Sequence, residues 1–381
     1  MNLDDILRAE LDALDKAGLR RTLRTMEEDP PNFASNDYLG LSRHPALIEA
    51  ARQAVAGRGT GAGAARLVTG TDAAVFKLEE VLAAWKEKEA ALVFSSGYAA
   101  ALGTVPALVG KGDTVILDKL SHASLIDAAR LSGATMRVFP HNDTQKLEAL
   151  LQKLSSGKGR TLIVTESIFS MDGDAAPLRE LAELKDRHGA WLLVDEAHAT
   201  GLYGPTGAGL VAEAGLSGRI EIVMGTLSKA LGSVGGYIAG SRPVIDWLVN
   251  RARSFIYSTA LPPGVIAASR AAIELARGPD GVALRAKLRE NIAHFQTGLP
   301  TSWKKETLPS GAIQPLICGE AATALQWTAA LREKGFFIPA IRYPTVPRHA
   351  ARLRVTLSAI HASKEIDALN EALATTHDCS A

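Results

Sequence analysis

The chain has 381 residues, of which 47% are hydrophobic and 22% are charged, so it can bury a large core and form two or more domains. Its 42 basic and 41 acidic residues leave a formal net charge of +1. This balance gives no electrostatic case for nucleic acid or an anionic membrane as a main partner. Any binding of phosphate groups must therefore be local.

The N-terminal segment, MNLDDILRAELDALDKAG, is acidic and places Leu3, Leu7, Leu11 and Leu14 at helical spacing. A signal peptide has a basic region followed by an apolar one, and this segment has neither in that order. We therefore expect an amphipathic docking helix at this end of the chain.

The composition also favours a cytoplasmic protein without a membrane span. Cys318 and Cys379 form no CxxC motif and no cysteine–histidine cluster, so we predict neither a disulfide framework nor a metal site. Residues 90–110 carry no charge, but the Ser95–Ser96–Gly97 turn divides them into a short strand and an Ala-rich helix. We interpret this stretch as a buried strand–helix unit of a water-soluble domain.

The middle of the chain repeats the same alternation of strands and helices. Between the strands lie helical patterns such as SLIDAARLSG, TQKLEALLQKL and PLRELAELKDRHG. The apolar segments that we predict as strands are DTVILD, TMRVFPH, RTLIVTES, AWLLVDEA, IEIVMGT and GGYIAG. Such alternation predicts an α/β fold with a mostly parallel sheet between layers of helices.

The pattern changes after the helical segment LPPGVIAASRAAIELARG. Longer helices follow, with more widely separated strands IQPLICG, FFIPAI and LRVTLSA and a final helix from Ser363. We therefore predict an N-terminal helix and arm over residues 1–38, a large domain over 39–274 and a smaller α+β domain over 275–381.

Two polar residues follow apolar strands in a way that indicates a ligand site. Lys229 lies in GTLSKALGSVGG after IEIVMGT, and Asp195 closes AWLLVDEAH with His198 three residues further on. Ligands of open α/β sheets bind at the carboxyl ends of the strands. A buried carboxylate there needs a cationic or hydrogen-bonding partner. Lys229 alone could equally be a surface loop residue.

Two other motifs point elsewhere but lack their required context. DEAH matches the acidic motif of a helicase class, yet that chemistry needs a G-x-x-x-x-G-K-[ST] loop, which the sequence does not contain. GTGAGAAR (59–66) resembles a dinucleotide fingerprint, but it follows a helical pattern rather than a strand.

A pyridoxal phosphate (PLP) site accounts for all of these features. This cofactor needs a lysine amine, a carboxylate at its pyridine nitrogen and donors for its phosphate. Lys229 and Asp195 supply the first two. The FSSGY turn, which contains Gly97, opens a helix whose N-terminal N–H groups can bind the phosphate.

The chain resembles the α-oxoamine synthase family of fold-type I PLP-dependent transferases over nearly its whole length. The matching motifs are SNDYLGL, GTGAGAARLVTGT, FSSGY, LSHASLIDAA, ESIFSMDGD, VDEAHATG, GTLSKALG, IYSTALPP, RYPTVP and LRVTLSAIH. The resemblance implies a decarboxylative condensation of an amino acid with an acyl thioester. FIYSTALPP, IQPLI and AIRYPTVP are most similar to members that join L-alanine to pimeloyl-CoA or its acyl carrier protein (ACP) thioester. Members using glycine with acetyl-CoA or succinyl-CoA, and a non-catalytic cofactor binder, remain alternatives.

Roles for the cofactor residues follow from the resemblance alone. It implies that Lys229 forms the Schiff base, Asp195 contacts the pyridinium and His198 donates to the phenolic oxygen. His122, which could also be a helix cap, would stack on the ring. The remaining implied cofactor contacts are Gly97, Tyr98, Ser170 and Thr226, together with Ser258 and Thr259 from the other subunit of a homodimer.

Substrate contacts are implied in the same way. Arg354 would hold the amino acid's carboxylate, although it could also be a strand-edge surface arginine. Arg20 (or its neighbour Arg21) and Thr345 match positions on the acyl-CoA side. Asn36 matches a further substrate-binding position, with His122 shared between cofactor and substrate, and Glu166 lies in a matching motif without an assigned role.

Overall fold

The computed structural model describes residues 2–23, 31–154, 158–303 and 308–378, so that Cys379 lies outside the described residues. The strands are β1 (Ala90–Phe94), β2 (Thr114–Asp118), β3 (Thr135–Phe139), β4 (Thr161–Glu166), β5 (Trp191–Asp195), β6 (Ile222–Thr226), β7 (Gly236–Gly240), β8 (Ile313–Gly319), β9 (Ala340–Ile341) and β10 (Ala351–Thr356).

Helices connect and cover these strands. In chain order they are α1 (Leu3–Lys16), α2 (Pro45–Arg58), α3 (Ala73–Trp85), α4 (Gly97–Leu108), α5 (Ala123–Ser132), α6 (Thr144–Leu154), α7 (Leu178–His188), α8 (Leu210–Glu213), α9 (Arg242–Arg251), α10 (Arg253–Ile256), α11 (Pro263–Arg277), α12 (Pro279–Gly298), α13 (Ala321–Glu333) and α14 (Ser363–Asp378).

A seven-stranded sheet forms the centre of the molecule, with strand order β1-β7-β6-β5-β4-β2-β3. All pairs are parallel except those of β7, which runs antiparallel to β1 and β6. Except for the edge strand β3, whose side chains are largely exposed, the strands are almost entirely buried because helices cover both faces. The mostly parallel α/β architecture predicted from the sequence is thus confirmed.

A second sheet, with order β8-β10-β9, is antiparallel and packs with α13. The predicted strand FFIPAI is wrong in extent, because only Ala340 and Ile341 pair with β10. Pro339 has no N–H to donate to a ladder, and the buried side chains of Phe336 and Ile338 pack into the core instead. The predicted division at residues 38 and 274 stays a prediction.

Two further expectations have different outcomes. The stretch 90–110 forms β1, a turn and α4, and among the described residues no helix is long and apolar enough to cross a membrane. The N-terminal segment is helical as predicted. However, α1 buries none of its residues against the described chain, and its leucines are exposed.

Candidate active site

Lys229 lies in the loop that follows β6, at the carboxyl end of the large sheet. The loop is closed by hydrogen bonds from Leu227 N to Gly235 O (2.9 Å) and from Gly232 N to Lys229 O (2.8 Å). Gly232 has φ +60° and passes so close to the backbone that a Cβ there would lie 2.3 Å from Ser42 N. Burial of the amine, opposed by nearby carboxylates, lowers the pKa of Lys229 to about 8.

Two carboxyl groups face this amine from adjacent strands. Asp195 ends β5 and is paired in register with Glu166 at the end of β4. Burial raises the pKa of Asp195, and Lys229 opposes the shift. Burial and the neighbouring Asp195 raise the pKa of Glu166 to about 8. Glu166 Oε1 also accepts a hydrogen bond of 2.6 Å from His122 N, which ties the start of α5 to β4.

A hydrogen-bonded chain runs from Lys229 to Tyr38. Lys229 Nζ is 2.7 Å from His198 Nε2, and His198 Nδ1 is 2.6 Å from the Tyr38 hydroxyl. Tyr38 donates in turn to Asn36 Oδ1 at 3.1 Å. Burial lowers the pKa of His198 well below its usual value, so the ring is neutral, and it raises the pKa of Tyr38 to about 12. With the His198 proton on Nδ1, every donor in the chain has one acceptor.

Arg354 extends this chain from the small sheet. Its Nη1 and Nη2 each donate to Asn36 Oδ1 at 3.2 Å, and its Nε donates to Ser170 O at 2.7 Å. Thr356 Oγ1 accepts a further bond of 3.0 Å. Arg354 is buried, so it is not a strand-edge surface residue. Tyr38, which joins the two halves of the chain, was not among the predicted site residues, although it lies within the SNDYLGL motif.

His122 caps α5 and also faces Lys229 and Asp195. Its Nδ1 accepts from Ser124 N at 3.2 Å and is 2.8 Å from Ser124 Oγ. Burial lowers the pKa of His122, with Asp195 and Lys229 both close enough to act on it electrostatically. His122 therefore caps the helix and also lies beside the candidate site.

The turn before α4 lies beside the end of β6. Ser96 is the N-cap of α4 and accepts from Ala99 N at 3.0 Å, which leaves the N–H groups of Gly97 and Tyr98 without intrahelical acceptors. A Cβ on Gly97 would lie 3.7 Å from Thr226 Cβ. Tyr98 directs its hydroxyl away, toward Asp127 Oδ2 at 2.6 Å.

Four predicted site residues lie outside this cluster. Ser258 and Thr259 line a small cavity with Ser95, and Thr259 pairs with Ala65 in an isolated bridge. Arg20 and Thr345 line a separate groove of about 1030 Å³ beside β9. Arg20 and Thr345 thus line the same groove, whose described lining does not include Lys229, and their substrate role stays a prediction.

The residues present fit PLP. Asp195 is buried and, among the described residues, forms no ion pair, and its carboxylate accepts a hydrogen bond only from Ala197 N, at 2.8 Å. A buried carboxylate of this kind suits a cationic ring nitrogen. The helix N-terminus at Gly97 suits the phosphate. Lys229, whose neutral amine is accessible near pH 8, suits an aldehyde.

The chain belongs to the aminotransferase class I and II family, whose model matches residues 28–373. Among solved structures, a serine palmitoyltransferase from S. paucimobilis with bound PLP is 29% identical, has a TM-score of 0.92 and covers 100% of this chain and 99% of its own. A serine palmitoyltransferase from Sphingomonas wittichii is 31% identical, with a TM-score of 0.91 and coverage of 100% and 99%.

Curated relatives are more similar in sequence than these two solved structures. An 8-amino-7-oxononanoate synthase from Geobacter metallireducens is 50% identical over 94% of both chains. One from Anaeromyxobacter dehalogenans is 48% identical over 97% of this chain and 95% of its own. The solved 8-amino-7-oxononanoate synthase from Francisella tularensis is 27% identical, with a TM-score of 0.77 and coverage of 92% and 99%.

Proposed function

We propose that the protein is a PLP-dependent 8-amino-7-oxononanoate synthase, which condenses L-alanine with a pimeloyl thioester and releases carbon dioxide and the free thiol. The observation that carries this proposal is the hydrogen-bonded chain from the Lys229 amine to the Arg354 guanidinium. It places a group for the amino end of an amino acid and a group for its carboxylate in one site. Relatives at 45–50% identity with the same name support it.

The bound cofactor supplies an electron sink that stabilises negative charge on the amino acid's α carbon. Asp195 provides the negative charge that keeps the ring nitrogen protonated. His198, which is neutral, would contact the phenolic side of the ring, and His122 would lie against its face. Ser170 and Thr226 would be further contacts, and the N–H groups of Gly97 and Tyr98 at the start of α4 would bind the phosphate.

Lys229 performs the proton transfers at the α carbon. Because its pKa is lowered to about 8, a substantial fraction of the amine is neutral near physiological pH and can accept a proton. His198 Nε2 lies 2.7 Å from Nζ and holds the amine in place. Arg354, whose Nη1 and Nη2 donate to Asn36 Oδ1 in the structure, would exchange that acceptor for the substrate carboxylate and so orient the amino acid.

The groove beside β9 suits an anionic acyl substrate. Arg20, Arg21, Arg332 and Arg342 line it, whereas Glu333 is the single acidic residue among its described lining. Thr345 adds a hydroxyl group. The excess of guanidinium groups supports binding of the pimeloyl carboxylate or the phosphates of its carrier.

A second copy of the chain accounts for the position of Ser258 and Thr259. Exposed apolar side chains surround this region, including Leu67 at 55%, Phe76 at 56% and Tyr257 at 70% exposure. Monomeric proteins rarely leave such groups uncovered together. We infer a homodimer in which Ser258 and Thr259 reach the partner's cofactor phosphate. The free thiol of Cys318 suits a cytoplasmic location.

A substrate panel tests the function. Purified protein is mixed with alanine, glycine or serine and with pimeloyl-CoA, pimeloyl-ACP, acetyl-CoA or succinyl-CoA, and free thiol and carbon dioxide are measured. We expect alanine with a pimeloyl thioester to be preferred, and glycine to be disfavoured about 10- to 200-fold in kcat/KM because a fitted pocket loses one methyl contact. A preference for glycine with acetyl-CoA or succinyl-CoA would assign a sister activity.

A further inference from the structure

A buried ion pair lies behind the turn that carries Asp195 and His198. Lys86 Nζ is 2.9 Å from Glu196 Oε2 and 3.0 Å from Thr200 Oγ1, and it also donates to Ala208 O. The side chains of Lys86 and Glu196 are 1% and 0% exposed. All three ammonium donors are therefore used within the protein.

Glu196 connects this pair to the cofactor side of the turn. Its backbone N donates to Met224 O at 2.8 Å, and its carbonyl accepts from Thr200 N at 2.8 Å. Asp195 precedes it and His198 follows two residues later. Successive side chains at the end of a strand point to opposite sides, so Glu196 faces Lys86 while Asp195 faces Lys229.

Both oxygens of the Glu196 carboxylate are held by the protein. Its Oε1 accepts from Val211 N at 2.8 Å. A Cβ on Gly209, which has φ +115°, would lie 2.2 Å from Oε2, so only glycine allows this approach. A buried ion pair adds little stability over well-packed apolar groups, because both ions lose their hydration. Stability alone therefore does not account for Lys86 and Glu196.

We propose that Lys86 is a positioning residue for Asp195. Its ammonium group holds and neutralises Glu196, so that the adjacent Asp195 keeps the negative charge required at the cofactor's ring nitrogen. This inference rests on the proposed role of Asp195, and it concerns a residue that touches neither cofactor nor substrate.

The charges around Asp195 predict that removing Lys86 and removing Glu196 shift its protonation in opposite directions. The groups that act on Asp195 are Lys229 after β6, His122 before α5, Glu166 at the end of β4, and Glu196 on its own turn. Lys229 and His122 lower the pKa of Asp195, whereas Glu196 raises it. Removing Lys86 exposes Asp195 to an uncompensated negative charge, and removing Glu196 exposes it to an uncompensated positive one.

The experiment compares K86M, E196Q and the K86M/E196Q double variant. The dissociation constant of PLP is measured by absorbance titration from pH 5 to 9, and each variant's thermal unfolding is recorded. PLP binding weakens as the pH falls because both Lys229 and Asp195 take up protons, so each variant is compared by the shift of this profile relative to wild type. We expect K86M to shift this weakening about one pH unit upward, E196Q to shift it downward, and the double variant to return near wild type.

Lys185 provides a matched control. Its Nζ pairs with Glu221 at 2.6 Å and with Asp186 at 2.7 Å, and its side chain is 8% exposed. Glu221 bonds Leu192 N near the start of β5, at the other end of this strand from Asp195. K185M therefore removes a paired, buried lysine, and we expect it to lower the unfolding temperature without shifting the pH dependence.

Shifts of the two single variants in the same direction, or no shift in either, would overturn the proposal. If K86M does not fold, the comparison of E196Q with the double variant carries the same sign test. The result is independent of the substrate panel, because PLP affinity is measured without substrate. A different preferred substrate would change the proposed function and leave the role of Lys86 standing.

Discussion

The carboxyl edge of the large sheet and the groove beside β9 hold their polar side chains differently. Asp195 and His198 at the sheet edge, and Arg354 reaching it from the small sheet, are 4–6% exposed, and their positions are fixed by short hydrogen bonds. In the groove, the Arg20 side chain is 40% exposed and pairs with Asp15, which is itself half exposed. The proposed chemistry thus lies in a preorganised site, whereas the groove proposed for the acyl substrate is a solvated, positively charged surface.

Replacing Lys229 with alanine tests the preorganised site most severely. We expect Lys229→Ala to reduce turnover by about 10⁴-fold or more, because both the covalent attachment and the proton transfers are lost. Borohydride reduction and peptide mapping of the wild-type protein provide the matching measurement. Labelling of a lysine other than Lys229 would contradict the assignment.

Asp195→Asn keeps the shape of the side chain and removes its charge. We expect turnover to fall about 10³-fold while some PLP remains bound, because the ring nitrogen is no longer held in its protonated form. Steady-state rates and the spectrum of the bound cofactor measure this. Activity within about tenfold of wild type would rule out the electron-sink role.

Arg354→Ala separates substrate binding from cofactor binding. We expect kcat/KM for alanine to fall about 10²-fold, because a planar guanidinium fork is lost, while the PLP dissociation constant changes little. Arg354→Lys is the control, and it should recover only part of the loss because an ammonium group cannot form the fork. An equal loss of PLP affinity would assign Arg354 to the cofactor instead.

The lowered pKa of Lys229 predicts how the cofactor-free protein captures PLP. Only the neutral amine attacks an aldehyde, so the capture rate rises about tenfold per pH unit below the pKa and levels off above it. We expect the bend in this profile near pH 8 in stopped-flow absorbance. A bend near 10.5, the ordinary value for lysine, would show that burial does not act on this amine.

The smallest effects are expected in the groove. Arg20→Ala is expected to raise KM for the acyl thioester about tenfold, with kcat changed less than about threefold, because the solvated arginine contributes binding without chemistry. Higher salt should raise the same KM. Arg219→Ala, which removes an exposed arginine paired with Asp186, is the control and should leave KM unchanged. A large fall in kcat for Arg20→Ala would make the groove part of the reaction centre.

The sequence predicted the large sheet well because alternating strands and helices leave few ways to form a buried parallel sheet. It also singled out Asp195 and Lys229 as candidate site residues, because one ends an apolar strand and the other lies in the loop after one. Tyr38 could not be found in this way, because its partner His198 is 160 positions away. Lys86 and Glu196 are separated by 110 positions. Each of these residues is unremarkable in its own segment, and only the folded chain pairs it.

The extent of β9 failed for a different reason. FFIPAI has the β-branched and aromatic composition of a strand, but strand formation depends on a partner and on free N–H groups. β10 pairs with only Ala340 and Ile341 there. Local composition therefore indicates a preference for extended backbone, and pairing decides how much of it becomes a strand.

The hydrogen-bonded chain from Lys229 through His198, Tyr38 and Asn36 to Arg354 also sets the spacing between an amine and a guanidinium group. The links measure 2.6 to 3.2 Å and are buried or partly buried, so the protein itself holds the amine and the guanidinium in one relative position. Every α-amino acid has the same spacing between its amino and carboxylate groups, so we expect its side chain not to affect how these two ends are bound. A β-amino acid carries one more carbon between its two charged ends, so we expect it to be bound poorly at one of the two groups.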